Sequence, residues 1–454
     1  MAGGLMQLVA YGAQDIYLTG QPKITFFQAI YQRHTNFAME NIQQTVNGSA
    51  ANNSRVSVTI ARNGDLVGDM YVRLHPTVSN VTSNNTVFDT NWVAERALTD
   101  IELTIGGQRI DKHYQVWWRL YSELFLSESK KLNYGKMTTS PITYLDNVNL
   151  PSVYLPLLFF FNRHPGLYLP LIALQYHEVR LDFDIAPNFN NYFGTSGGAA
   201  TFEVWANYVY LDTDERRRFA QKGHEYLIEQ VQHTGGDSLS PPTAGAVATA
   251  SKVSQMIRLS LNHPVKELIW CYQQADIIGN PNGMWNFSSN VSTVNITCTS
   301  NPVEFVCALP NAIGVPTIAN HFSTPIPAGN IFYGWVEEGS SNVTSKCEVG
   351  PLYDFKLILN GQDRFKEQSG KYFNQYQPYQ YHSGAPYPGI YCYSFALEPE
   401  SHQPSGTCNF SRIDNAQVLF NLKGNYTTAV QKIFAVNYNI LRIQSGMGGL
   451  AFSN

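Results

Sequence analysis

The sequence is short of charge. Asp, Glu, Lys and Arg make up 14% of its 454 residues, with 30 basic against 34 acidic and a formal net charge of −4. A protein that coats nucleic acid needs a cationic excess to displace counterions, so direct nucleic-acid binding is excluded as the main role. The densest basic run, Arg216, Arg217 and Arg218, follows Asp212, Asp214 and Glu215 and reads as a solvated, self-paired turn. Cysteine is absent from the first half; the six fall at 271, 298, 307, 347, 392 and 408. None are spaced as CxxC, and no nearby histidine completes a zinc pattern, so free thiols in a reducing compartment are expected and no metal.

Long apolar runs are missing too. Residues 150–161 form the longest, about 12 residues and too short to span a bilayer, and Pro151 and Pro156 break it. The apolar N-terminal segment has no basic region, and Ala2 stands where myristoylation needs glycine. The expectation is a soluble chain made in the cytoplasm without a signal peptide.

Enzyme signatures are absent as well. There is no GxxxxGK[ST], GxSxG or HExxH; His177-Glu178 and His224-Glu225 lack the second histidine of a zincin. Residues 446–449, Gly-Met-Gly-Gly, leave no room for a dinucleotide helix and read as a flexible tail. Asp182 and Asp184 lie on one face of one strand, which suits a solvent face or an intersubunit salt bridge better than a converging acid/base pair. The aromatic and Gln-rich stretch 372–382 has no alternating cations for base stacking, and reads as a loop packed on its own domain or on a neighbouring copy. No catalytic, cofactor-binding or metal residues are nominated, and no cofactor.

What the chain does have is turns and strands: 34 Gly, 23 Pro and 13% aromatics. Strand patterns occur at 56–62, 66–74, 100–106, 178–185 and 202–211, with a hairpin signal at Asn63-Gly64-Asp65. One helix is expected over 113–131, with Val116, Trp117, Leu120, Leu124 and Phe125 on one stripe, covering an open end of the sheets.

The pattern is written twice. Residues 103–114 (LTIGGQRIDKHY) return as 357–368 (LILNGQDRFKEQ), 58–72 match 257–271, and 179–185 match 416–422. Asn63 lies 199 residues from Asn262, but Gly107 lies 254 from Gly361, so the second half carries about 55 extra residues between positions 271 and 352. Long inserts on β frameworks emerge as surface loops. Two domains of this length, each of eight strands, predict an all-β chain of two consecutive eight-stranded jelly-roll β-sandwiches, a double jelly roll with a few short helices. The expected division is an N-terminal arm (1–24) extended against a neighbour, jelly roll 1 (25–215), a linker (216–224), jelly roll 2 (225–440, with the insert at about 272–350) and a tail (441–454). Ten N-x-[ST] sequons occur, at Asn47, Asn52, Asn80, Asn84, Asn286, Asn290, Asn295, Asn342, Asn409 and Asn425. Asn80, Asn84, Asn286, Asn290, Asn295 and Asn342 cluster in two loops that the duplication makes equivalent, and are the glycosylation candidates.

Several long stretches in order, including residues 1–49, 101–114, 211–230, 403–416 and 438–452, closely resemble the major capsid proteins of large icosahedral double-stranded DNA viruses of algae and protists, above all the chlorovirus type. The resemblance runs the length of the chain and thins at 76–91 and 272–350. It implies a homotrimer whose six jelly rolls form a pseudo-hexagonal capsomer. Such capsomers contact neighbouring capsomers in the virion shell, with minor capsid proteins and a membrane beneath and glycans on outward loops. A lower-copy capsid paralogue (penton or spike-associated) and a sugar-binding jelly-roll protein are the alternative readings.

Overall fold

The structure, a computed structural model, describes residues 3–76, 92–138, 152–192, 200–239, 253–274, 287, 295–298, 305–308, 350–386, 389–422 and 429–452. The chain separates into two compact units, Met1–Phe37 and Ala38–Asn454. The first is not simply extended: it contains two short helices, α1 (Gly3–Val9) and α2 (Ile16–Thr19), neither of which buries a residue. Its apolar side chains stand in solvent, Phe27 at 98% exposure. No strand occurs in residues 25–36.

The remainder is built from strands in two sandwiches. One sheet of the first sandwich has the order β1 (Phe37–Gln44), β10 (Ala200–Leu211), β4 (Leu66–Pro76), β7 (Val153–Pro156), with β8 (Leu169–Pro170) also on β4. The facing sheet runs β2 (Val46–Asn47), β3 (Arg55–Thr59), β9 (Val179–Ile185), β5 (Leu98–Ile105), β6 (Gln108–Tyr114). In the second sandwich the first order returns as β11 (His224–Leu239), β22 (Ala429–Gln444), β13 (Pro264–Gln274), β19 (Ile390–Ser394), with β20 (Cys408–Asn409) on β13 and β23 (Met447–Leu450) on β22. The second order returns as β12 (Val253–Leu259), β21 (Ala416–Leu422), β16 (Leu352–Leu359), β17 (Gln362–Asp363), with β18 (Gln368–Ser369) also on β16. Over the four strands that each pair of sheets shares the two orders are the same, with β2 lacking a counterpart among the described strands of the second sandwich, and every repeat seen in the sequence falls on equivalent strands. This is the all-β double jelly roll. Among the described residues of the insert, β14 (Asn295–Cys298) pairs with β15 (Phe305–Ala308).

The repeated Gly-Gln segments are hairpins of one kind. Ile105 pairs with Gln108 across Gly106 (φ 58°) and Gly107 (φ 81°), and Leu359 pairs with Gln362 across Asn360 (φ 49°) and Gly361 (φ 79°). Two successive left-handed residues make the I′ turn, whose twist matches that of the strands it joins. Asn63-Gly64-Asp65, by contrast, is not a hairpin. β3 and β4 lie in different sheets, and the six residues between them carry the chain across the sandwich. Gly64 is there for close approach, since a Cβ would sit 2.9 Å from that of Tyr208. Asp65 accepts from Leu211 N at 2.9 Å and ties the corner to β10.

The expected helix also differs. Residues 113 and 114 end β6, and the helix is two: α4 (Gln115–Leu124) and α5 (Glu128–Thr138). α4 is buried nearly all round rather than on one stripe, because it lies between the two sandwiches and not over an open end. It stops where its last carbonyls find partners in the second sandwich: Gly384 N donates to Leu124 O at 2.9 Å and Ser383 Oγ to Phe125 O at 3.3 Å. Four shorter helices complete the list needed here: α3 (Val93–Arg96), α6 (Phe160–Arg163), α7 (Phe189–Tyr192) and α8 (Thr213–Gln221). The apolar run 150–161 contributes core, with Phe159, Phe160 and Phe161 buried. Among the described residues no helix is long and apolar enough to cross a membrane.

At Gly361 nothing lies within 4 Å of an added Cβ, so Gly361→Ala isolates the left-handed strain. It should cost about 1 kcal/mol, read as a lower urea midpoint at unchanged slope; an unmoved midpoint would contradict the turn assignment.

Candidate functional site: the seam between the sandwiches

The sheet β11-β22-β13-β19 is buried on both faces. Leu268, Trp270 and Tyr272 point into the second sandwich's own core, while Ile269, Cys271, Ile390, Cys392, Phe434 and Val436 join the core of the first. That explains the unbroken apolar run 268–272 in β13, since a strand covered on both sides has no solvent face to alternate with. The seam is therefore core, not a contact between two finished surfaces.

Aromatic rings fill its middle. The Phe434 ring stacks on His233 at 4.6 Å and lies 5.7 Å from Trp117 of α4, with Tyr114 of β6 4.9 Å from His233. Alongside, β6 meets β11: Val231 N donates to Asp111 Oδ1 at 3.0 Å, and Gln230 Nε2 donates to Ile110 O. Asp111 is also 3.0 Å from His113 Nε2.

A charge knot closes one side. Glu229 of β11 faces Arg163 of α6 at 3.0 Å and bonds Lys266 Nζ. Lys266 reaches it because β13 is bulged there; Val265 and Glu267 pair with Asn437 and Val436, leaving Lys266 unmatched and re-aimed. Burial alone would raise the Glu229 carboxyl, but the two cations outweigh it and hold the group below its ordinary value. Beside the knot, His164 of the first sandwich stacks on His402 of the second at 4.9 Å.

The chain's end closes the other side. The Gly446–Gly449 run, expected as a flexible tail, is instead part of a hairpin: β23 pairs with β22, and Leu450 N donates to Gln108 Oε1 at 3.1 Å. His177 Nδ1 bonds Gly448 O at 2.8 Å, and a Cβ on Gly448 would stand 2.7 Å from Leu174. A side chain at 448 would require the end of Leu174 to shift, so the bare backbone of Gly448 lets the hairpin lie this close to the first sandwich without rearrangement.

Other sequence candidates resolve as follows. The Arg216–Arg218 run sits in α8, not in a turn, and Arg216 pairs with Asp65 at 3.0 Å, not with its acidic neighbours. Asp182 is buried and bound within the chain, 2.7 Å from Arg180 and 3.5 Å from Arg55. Burial, reinforced by a hydrogen bond to Asp100, raises the Asp184 carboxyl. The 372–382 stretch is a helical turn running into α9 (Gln377–Tyr381); it packs on its own domain, with Phe373, Asn374, Gln377 and Pro378 buried. Of the glycosylation candidates, Asn80, Asn84, Asn286, Asn290 and Asn342 lie outside the described residues, and Asn295 opens β14. The two loops they occupy join equivalent strands, β4 to β5 and β13 to β16.

Sequence reasoning missed one cluster. Glu267 on β13, His382 after α9 and Cys392 on β19 place their ligand atoms within 4.8 Å of one another; Glu267 and Cys392 are buried, and His382 is half-buried with its side chain covered. Positions 115 and 10 residues apart, on three elements, carry no motif. Burial works against the His382 cation, but Glu267, with Cys392, overrides it and raises the imidazole well above its ordinary value. Burial raises the Cys392 thiol, and Cys271, Cys392 and Cys408 are free.

Both halves match known families in order. Residues 25–212 match the major capsid protein N-terminus, and residues 215–449 match the large eukaryotic DNA virus major capsid protein. The chain belongs to the large eukaryotic DNA virus major capsid protein family. The two matches meet at the start of α8. Among relatives of this capsid protein, the major capsid protein of Paramecium bursaria Chlorella virus 1 is 44% identical over all of both chains, and that of Phaeocystis pouchetii virus 40% identical over all of both. The crystal structure of PBCV-1 VP54, fitted into a virophage reconstruction, is 38% identical over 95% of this chain and 100% of that one, with a TM-score of 0.73. The Faustovirus major capsid protein shares the fold at 13% identity, over 97% of this chain and 96% of that one, with a TM-score of 0.64.

The seam has a definite pH response. Burial lowers His233, and burial together with the His164 ring lowers His402, so both are neutral in the folded seam. Unfolded histidine binds its proton near pH 6.5. Each lowered group therefore contributes stability that is present above that value and is lost as the pH falls below it, with Glu229 following below about 4.5. His382 is raised, so its own contribution grows as the pH falls to about 6.5 and is constant well below it, opposing the two lowered histidines only at the upper end of the range. Below about pH 6, where His382 no longer contributes a slope, the urea midpoint should fall towards pH 5, and less steeply in His233→Gln; a flat profile there in the unsubstituted protein would refute the neutral seam.

Proposed function

We propose that this capsid protein works as a homotrimer, three copies giving six jelly rolls in a pseudo-hexagonal capsomer that tiles an icosahedral shell. The observation that carries the reading is the identity of strand order in two sandwiches fused through a shared core. Two like units per chain approximate six-fold symmetry in a three-fold assembly, so near-hexagonal blocks pack edge to edge. Contacts of this kind are individually weak and act through their number. One solved structure 38% identical over 95% of this chain is a quasi-atomic model of the PBCV-1 virus capsid.

The role is assembly and not catalysis, with synthesis in the host cytoplasm. A net charge of −4 suits contact with protein and not with the genome. The apolar first unit, with Phe26, Phe27 and Tyr31 at least 87% exposed, offers surface to bury against minor capsid proteins and the membrane beneath the shell. Any glycan is expected on the sequons between β4 and β5 and between β13 and β16, the two connections in which they cluster.

Light scattering on purified protein should give three times the 50.9 kDa of one chain. A protein monomeric at all concentrations and absent from particles would overturn the reading. Intact mass and peptide mapping of protein from virions test the loops: sugar is expected among Asn80, Asn84, Asn286, Asn290, Asn295 and Asn342, and sugar confined to Asn409 or Asn425 would contradict that expectation.

A further inference from the structure

We propose that Glu267, His382 and Cys392 form a structural zinc site that cross-links the second sandwich at its seam with the first. Glu267 pairs across the sheet with Ser394, two residues from Cys392, so both side chains share the face turned toward the first sandwich. His382 closes over them, its Nε2 against Glu267 Oε1 and its ring 5.0 Å from Phe125 of the first sandwich. The donors are one imidazole nitrogen, one thiol sulfur and one carboxylate, a mixed set suited to a borderline-soft divalent cation and unsuited to calcium or magnesium.

Two features separate this from an ordinary buried ion pair. Glu267 Oε2 is buried without a hydrogen-bond partner, although Glu267 is 0% exposed, and a bare carboxylate oxygen inside a core is costly. It is positioned to supply the fourth donor. A carboxylate also stands beside the outer face of His382: Glu400 Oε1 lies 3.3 Å from Nδ1, which itself makes no hydrogen bond, and Ser383 holds that carboxylate through its N and Oγ, both at 2.8 Å. A carboxylate behind the imidazole is the usual support of a metal-bound histidine, fixing its tautomer and orientation. Metal–donor bonds of about 2.0–2.3 Å keep any two donors within about 4.6 Å, so the present spread of 4.8 Å closes with small side-chain movements.

The charge balances. Without metal the site holds a Glu267 carboxylate, a His382 imidazolium and a Cys392 thiol, and is neutral. On binding, Cys392 releases its thiol proton, His382 releases its Nε2 proton, and one divalent cation replaces the two, so the buried charge is unchanged. The segment it fixes carries seam contacts: Gly384 N to Leu124 O, Ser383 Oγ to Phe125 O, and Lys131 Nζ to Ala385 O at 2.9 Å.

The test is metal content and the cobalt spectrum of the full-length protein. Protein stripped with EDTA and dialysed against zinc chloride should take up one zinc per chain. Cobalt chloride in its place should give a thiolate-to-cobalt charge-transfer band. Cys392→Ala and His382→Gln should each lower uptake at least about tenfold. Cys298→Ser, Cys307→Ser and Cys347→Ser combined leave the cluster untouched and should keep the band whether or not the core variants fold. Uptake below roughly one-tenth of an equivalent by the unsubstituted protein, cobalt bound without the thiolate band, loss of the band in the triple serine variant, or full uptake by a folded Cys392→Ala variant would each overturn the site.

Discussion

Glu229 is a carboxylate enclosed between two sandwiches, faced by Arg163 from the first and by Lys266 from the second. Such a group tolerates burial only while its partners stay in place, and removing one partner of a buried pair typically costs about 3–5 kcal/mol. The pairing is satisfied at one relative placement of the two sandwiches. The Phe434, His233 and Trp117 rings fill the same gap, so geometry set by charge is reinforced by packing. Around this seam the rest of the molecule is arranged: the bulge that aims Lys266, the helix α4 wedged between the sheets, and the terminal hairpin laid over Leu174.

A capsid block made from duplicated units depends on that rigidity. In the trimer proposed above, jelly rolls free to rotate against one another would not present a repeatable six-sided outline. Family membership establishes what kind of protein this is; the seam supplies the physical means by which one chain offers two fixed edges. Duplication preserved the strand order and the I′ turns, and the copies diverged where the framework tolerates it, in the connection between β13 and β16. Divergence in a loop leaves the seam untouched, which is why an insert of about 55 residues is compatible with an unchanged fold.

Much of the fold was legible in the sequence because strand alternation and turn chemistry are local. The Gly106-Gly107 and Asn360-Gly361 pairs announce their turns, and the repeats land on equivalent strands. What failed were inferences about which surface a segment meets. Asn63-Gly64 looks like a hairpin until β3 and β4 are seen in different sheets. The 113–131 helix looks one-sided until the second sandwich covers its other side, and residues 446–449 look loose until Gln108 and His177 are found beside them. The first error came from missing a crossing between the two sheets of one sandwich, and the other two from treating a jelly roll as complete by itself. One sign was available: residues 268–272, Leu-Ile-Trp-Cys-Tyr, do not alternate, and a strand without alternation is buried on both faces. The Glu267, His382 and Cys392 cluster left no such trace, since its members meet only through the sheet register and the turn after α9.

The most direct measurement is native-state hydrogen exchange on the slowest amides of β9 in the first sandwich and β21 in the second, followed against denaturant for the unsubstituted protein and for Glu229→Gln. If the seam makes one cooperative unit, both sets open with the same free energy and denaturant slope, and both drop together when Glu229 loses its charge. Amides of β21 that open separately from those of β9, or a Glu229→Gln change confined to one sandwich, would contradict it.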